Sequence, residues 1–462
     1  MAEESLNQAT STAADAGQSG ANHEHAAALT GRLVGRLRDV VAEDARVSRR
    51  AVLGGIGVAG AGAVGLGGSA GADEGASTPH SVGESEHGNF GAKGTYEDAT
   101  FDPHVYLRAF NTGVSGQSGV TDIDEEVPQR VYNRDDGEGG KETVREFEFV
   151  AQRTVVEIAP GVDFPAWSYN GQVPGPTLRV EEGDVVRVQF ANAQRHAHTI
   201  HPHLKNVVPE MDGIPQNGPG LVDQGDSFVY EWRAQPAGLH FYHCHSLPLK
   251  EHIHRGLYGA IIVDPDPERV RKHPREYVNY HGPIDDAYVD DLVERAKLRN
   301  HRYRADEVDE MVMVMNGFDT NFDGDNEFYS ANTQAFCYGV ADSDGYGAWE
   351  GGETIHPIRI DSNERQRIYL LNVIEFDPIN SLHTHSQFFD YYDHGTTLYP
   401  THKTVDTVMQ CQAQRGILEL DYGDHATVDS YGGERQNALY MFHAHQSEFA
   451  ELGWMSFFEV VN

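Results

Sequence analysis

Residues 238–263, GLHFYHCHSLPLKEHIHRGLYGAIIV, set one cysteine between two histidines at the end of an apolar run. On an extended chain successive side chains point to opposite faces. Cys244 therefore faces one way and His243 and His245 the other, so two separate donor sets are joined through adjacent peptide units. Each set needs further donors from elsewhere in the chain.

Those donors are present. HTIHPH carries His198, His201 and His203, HTH carries His383 and His385, and HAH carries His443 and His445; with His243 and His245 this makes four HxH pairs. The second half of the chain repeats the first. H-x-x-H-x-H at His198, His201 and His203 recurs as N-x-x-H-x-H at Asn380, His383 and His385, and H-C-H recurs as H-A-H around Ala444. Matching ends follow, GLYGAIIV from Gly256 and GWMSFFEVV from Gly453. This is a duplicated domain in which one thiolate-imidazole site is kept and its twin is erased. A thiolate with two imidazoles is the ligand set of a blue-copper centre, and imidazole-only sites suit copper, zinc, iron or nickel. Closed structural zinc sites use only four ligands and favour CxxC-type spacing, which makes zinc the weaker assignment.

These motifs resemble the multicopper oxidases, specifically the two-domain, laccase-like branch with its cysteine in the first domain only, related to the copper nitrite reductases. The resemblance spans residues 141–462. It implies an all-β chain of two tandem cupredoxin-like Greek-key β-barrel domains. The phrase SYNGQVPGPTLRVEEGDVVRVQFAN resembles the opening of such a domain.

Length agrees, because 462 residues exceed one core and domains run to about 100–200 residues. The expected layout is a leader at 1–72, an extension at 73–140, domain 1 at 141–283, a linker at 284–308 and domain 2 at 309–462. In the leader, Ser48-Arg49-Arg50 runs directly into AVLGGIGVAGAGAVGLG, which resembles a twin-arginine export signal. Export to the cell surface or medium is expected, with cleavage near 69–72 and an uncleaved anchor both open. Net charge is −36, with 71 acidic against 35 basic residues. Nucleic acid is excluded as a partner, since phosphate binding needs clustered Lys and Arg. Acid spread along the whole chain reads as a surface adapted to high salt.

Short apolar runs at 144–150, 154–158, 177–180 and 185–190, separated by turns, signal an antiparallel sandwich or barrel. Residues 285–298 carry Val289, Leu292 and Val293 at helical spacing and predict a linker helix. MVMVM at 311–315 puts three methionines on one strand face, a core pattern. DTNFDG at 319–324 copies half a calcium loop, but Ser330 stands where the last acid belongs, so an acidic turn is expected. Cys337 and Cys411 are either a disulfide or two free thiols.

The resemblance also implies roles. Cys244, His198 and His252 would hold a type 1 copper, with Leu257 at the axial position; His254 and Leu249 offer alternative alignments to His252. A leucine cannot bind, which implies a three-coordinate centre of raised potential. His201 and His383 would hold a type 2 copper. His203, His243 and His445 would hold one type 3 copper, and His245, His385 and His443 the other. Each half supplies only part of the cluster, so a domain interface is required, and in relatives of this branch it lies between the subunits of a homotrimer. Dioxygen would be the acceptor, and a small molecule or redox protein the electron donor. Proton delivery needs carboxylates, for which Asp212, Asp390 and Asp393 are candidates. A copper nitrite reductase needs only three histidines at its catalytic metal and lacks a histidine after its cysteine, and a copper carrier would leave eight paired histidines unexplained.

Overall fold

A computed structural model describes residues 129–159, 162–303, 308–333, 335, 358–423, 427–429 and 435–461. The expected leader, the twin-arginine motif, most of the extension and Cys337 lie outside them.

Domain 1 contains β1 (Gln129–Asp135), β2 (Lys141–Ala159), β3 (Val162–Tyr169), β4 (Leu178–Glu181), β5 (Val185–Asn192), β6 (His201–Pro202), β7 (Ser227–Arg233), β8 (Gly238–His243) and β9 (Tyr258–Asp264). One sheet runs β1-β2-β5-β7 with β3 on β2, and the other β4-β9-β8-β6. Domain 2 contains β10 (Val308–Phe318), β11 (Phe328–Ala331), β12 (Ile358–Asp361), β13 (Arg365–Asn372), β14 (Ile379–Thr384), β15 (Phe389–Asp393), β16 (His402–Val405), β17 (Thr407–Cys411), β18 (Arg415–Leu420), β19 (Thr427–Asp429), β20 (Arg435–His443) and β21 (Met455–Val461). Its sheets run β11-β10-β13-β18-β15-β16 and β12-β21-β20-β14-β17, with β19 on β20. The all-β architecture is as expected.

The duplication holds at the level of pairing. β2 runs parallel to β5 as β10 does to β13, and β4 parallel to β9 as β12 does to β21. His201 stands opposite His243 across β6 and β8, and His383 stands opposite His443 across β14 and β20. Two details differ from the sequence expectation. The runs at 144–150 and 154–158 form one strand, because β2 pairs β5 through its first half and β3 through its second, so no turn is needed at Gln152 and Arg153. And the end of the expected extension joins the sheet, with β1 antiparallel to the start of β2.

Three cores follow from strand alternation. Phe149, Val188, Trp232, Tyr242 and Ile261 fill the space between the domain 1 sheets. Met311, Met313 and Met315 share one face of β10 and pack inside domain 2, as their spacing predicts. Val312 and Val314, on the other face, meet Leu239, Phe241, Ala260 and Ile262 in a third core between the domains. The β8–β9 ribbon is thus buried on both faces, the physical reason that its sequence is nearly all apolar. An ion-pair chain crosses the same interface. Arg179 of domain 1 joins Asp264 (2.9 Å) and Glu310 (2.5 Å), and Arg367 joins Glu310 (3.0 Å) and Glu419 (2.8 Å).

Among the described residues four α-helices join these strands: α1 (Leu249–His254), α2 (Pro267–Lys272), α3 (Asp286–Arg299) and α4 (Ser447–Glu451). The predicted linker helix is α3; Asp285 caps it by accepting from the Tyr288 amide, and it buries Leu292 and Val293. Residues 319–327 form an acidic turn in which Asp319 accepts from the amides of Asp323 and Gly324. Cys411 is exposed.

Candidate metal centre

β8 ends at His243, and the chain continues extended far enough for the Cys244 amide to bond the Leu257 carbonyl at 2.9 Å. Cys244 points into the domain 1 core and is fully buried. His243 points the other way, stacked on Phe241. The alternation expected of this stretch is therefore present.

Around Cys244 three donors converge. Cys244 Sγ lies 3.6 Å from His198 Nδ1 and 3.3 Å from His252 Nδ1, and the two Nδ1 atoms are 3.1 Å apart. α1 delivers His252 on its last turn. His254, the alternative, turns away and accepts the Asp319 amide at 2.9 Å. Leu257 is fully buried in the same core, and Trp167 sets its ring edge-on to both His198 and His252. Burial holds the His198 imidazole well below the ordinary histidine range and His252 down to about 4, so both are neutral donors at pH 7. Burial also pushes the Cys244 thiol up, softened by bonds from Ser246 and Thr199. A buried thiol of this kind yields a thiolate only beside a cation.

The paired histidines form two quartets of like design. His201 Nδ1–H donates to the Asp212 carbonyl (2.7 Å) and His383 Nδ1–H to that of Asp406 (2.9 Å). His243 Nδ1–H donates to the Cys244 carbonyl (2.8 Å) and His443 Nδ1–H to that of Ala444 (2.6 Å). Occupying Nδ1 leaves each Nε2 as a lone-pair donor, the usual outer support of a metal-binding imidazole. Accordingly, His203 Nε2 lies 3.2 Å from His243 Nε2, and His385 Nε2 3.1 Å from His443 Nε2. The His245 amide donates to Thr199 Oγ1 (3.0 Å) as the His445 amide does to Ser381 Oγ (2.8 Å). Burial first, then neighbouring histidines, lowers His203 to about 2 and, burial dominating, His243 to about 3. Every ring contact among the eight stays within one quartet among the described residues, as in His201 with His203, His243 and His245, and His383 with His385, His443 and His445.

At the erased twin site, Ala444 takes the register of Cys244 and Trp454 that of Leu257, with the Ala444 amide on the Trp454 carbonyl at 3.1 Å. Trp454 is almost wholly buried and packs in one core with Ala444 and Phe442.

The carboxylate candidates divide. Asp212 touches His201, its Oδ1 3.3 Å from Nδ1. Asp390 and Asp393 reach none of the paired histidines: Asp390 accepts from the Thr404 amide, and Asp393 lies 3.0 Å from His394 and accepts from Gln414. Both sit on β15, in the sheet opposite β14, which is why closeness in sequence to His385 misleads. The counterpart of Asp212 is Asp406, whose Oδ2 is 3.9 Å from His383 Nδ1, with Thr407 Oγ1 at 2.9 Å. Asp212 follows its histidine by eleven positions and Asp406 by twenty-three, so the equivalence is invisible in the spacing.

Comparison with known proteins agrees with this geometry. A family model described as multicopper oxidase matches residues 150–268. A solved crystal structure of a multicopper oxidase is 40% identical, covers 79% of this chain and 98% of its own, and superposes with a TM-score of 0.57. The chain belongs to the multicopper oxidases. Among curated relatives, a probable nitrite reductase-hydroxylamine oxidoreductase fusion protein of Kuenenia stuttgartiensis is 37% identical over 139 residues, 27% of this chain. The multicopper oxidase MCE of Talaromyces pinophilus is 40% identical over 98 residues, 21% of this chain. The match spans 16% of the length of each of these two relatives. As a multicopper oxidase, this chain is a copper oxidoreductase with cupredoxin-type domains.

Proposed function

We propose that this multicopper oxidase couples one-electron oxidation of a reducing substrate, laccase-like with phenols as the default, to four-electron reduction of dioxygen to water. The observation that carries the reading is the pair of histidine quartets, each pinned through Nδ1 with Nε2 atoms converging. The donor sets fit copper: nitrogen and sulfur around Cys244, imidazole alone in the quartets. Cys244, His198 and His252 would hold the type 1 ion, with Leu257 as a non-binding axial neighbour. His201 and His383 would hold the type 2 ion, and the sets His203, His243, His445 and His245, His385, His443 the two type 3 ions. The 3.2 Å and 3.1 Å Nε2 pairs fall within these two sets, which supports the division. Bound copper supplies one-electron redox chemistry at the first site and dioxygen reduction at the second.

The chain's own contribution is positional. Cys244 and its flanking histidines are a covalent link between the two sites, and Thr199 braces both ends through Cys244 Sγ (3.5 Å) and the His245 amide. Asp212 and Asp406 keep His201 and His383 in the tautomer that presents Nε2. Because the two quartets stay apart within one chain, a complete cluster requires a second copy, and we assign a homotrimer with the cluster between subunits. Export through the twin-arginine motif and a surface adapted to salt belong to the same proposal.

The relative from Kuenenia makes nitrite reduction the alternative. It leaves His245 and the second quartet without a role.

Copper content, absorption and oxygen uptake in high salt with a phenolic donor test the reading. About four coppers per chain, a blue band that vanishes in Cys244→Ser and oxygen consumption are expected. About two coppers with turnover of nitrite would replace the oxidase by a nitrite reductase, and one copper without turnover would leave an electron carrier.

A further inference from the structure

Between the domains lies a cavity of about 550 Å³ into which His201, His203, His243 and His245 open from domain 1 and Glu375 and Gln412 from domain 2. Glu375 is the one carboxylate lining it among the described residues. None of Asp212, Asp390 and Asp393 lines it. Dioxygen reduction consumes four protons with its four electrons, and imidazoles that spend a ring lone pair on metal do not supply them.

We propose that Glu375, from domain 2 of the same chain, is the acid that delivers protons to the histidine cluster through this cavity. The inference rests on the oxidase reading above. Glu375 follows the end of β13 and is 8% exposed, and its backbone carbonyl is anchored by Asn326 at 2.8 Å. Its side chain accepts from the Gln412 amide, on the turn between β17 and β18. From α1, Lys250 faces the same cavity, but its ammonium sits 3.7 Å above the Phe376 ring. Asp377, two residues on, is occupied by Asn326 and Tyr329. The four histidines complete the surroundings. Among the described residues Glu375 is thus a buried acid without a salt bridge, and burial raises its carboxyl to about 7, against the lowering effects of Gln412 and then Lys250. A group of that acidity holds and releases a proton near neutral pH, as an efficient general acid must.

The balance closes. Four one-electron donors are each oxidised once, the O–O bond breaks, four O–H bonds form, and each proton given by the Glu375 carboxyl is replaced from solvent.

Two measurements on the full chain test this. In metal-free protein, infrared difference titration should show a carboxylic C=O band disappearing around pH 7 that is absent from Glu375→Gln; identical wild-type and variant spectra would overturn the assignment. In the copper-loaded protein, Glu375→Gln should lower oxygen uptake by about 100-fold or more and lose the alkaline limb of the pH profile, with copper content and anaerobic bleaching of the blue band retained. Glu375→Asp, which keeps an acid, should recover part of the rate and a pH limb, and guards against a folding defect in the glutamine variant. If wild type consumes dioxygen and Glu375→Gln matches it at every pH, the oxidase reading stands and the role of Glu375 falls. If wild type consumes none, both fall.

Discussion

At the residue scale, chemistry is decided by which atom of each side chain is already committed. His201, His243, His383 and His443 spend Nδ1–H on backbone carbonyls, so their donor atom is chosen before any metal arrives. Leu257 offers no donor and is packed in the Cys244 core. Leu257→Met should therefore lower the reduction potential of the blue site while the protein still folds, because a thioether replaces hydrocarbon of similar volume and favours the oxidised ion; potentiometry of the visible band measures it. Glu375 makes a separate prediction for stability. Its folded carboxyl titrates near 7, above the ordinary 4.5, so the native state binds the extra proton between those values. Stability then falls as pH rises through that window and stays reduced above it, by roughly 2–3 kcal/mol at most. Urea unfolding of metal-free protein should show wild type losing stability from pH 4.5 to pH 8, and Glu375→Gln losing less.

Elements carry these residues to their positions, and the connection after each HxH strand is the critical one. α1 turns His252 back onto Cys244 and is followed, past its cap at Arg255, by Gly256, whose φ of +118° suits only glycine. A Cβ there would lie 2.8 Å from the Trp167 carbonyl and 2.5 Å from Val173. Gly453 repeats the device after α4, with φ +116° and the Tyr329 carbonyl 2.9 Å from a Cβ. Gly256→Ala should cost about 1–3 kcal/mol and displace both His252 and Leu257. Denaturant midpoints combined with the position of the blue band would register the two effects, and an unchanged spectrum in a destabilised variant would separate the glycine from the metal set. The HxH pairs, the cysteine, α3 and the methionine face were readable because each is a local pattern with a fixed period. Asp406 was not, since its approach to His383 depends on how far the loop before β17 travels.

For the whole molecule, the shared core and the Arg179–Glu310–Arg367–Glu419 chain make two domains one cooperative body. Arg179→Met should leave Asp264 and Glu310 partly uncompensated and cost about 3–5 kcal/mol. Calorimetry should show one transition moving down for both domains, and a separate early transition for one domain would disprove the coupling. The sequence by itself determined the duplicated all-β plan, the retained and erased sites and the eight paired histidines, because ligand chemistry and strand alternation act over a few residues. Only the tertiary structure decided that His252 rather than His254 meets Cys244, that Asp390 and Asp393 stand off while Asp406 approaches, and that Glu375 faces a cavity of histidines from the other domain. Those facts depend on contacts between residues far apart in the chain, set by how the sheets pack, and no local period records them.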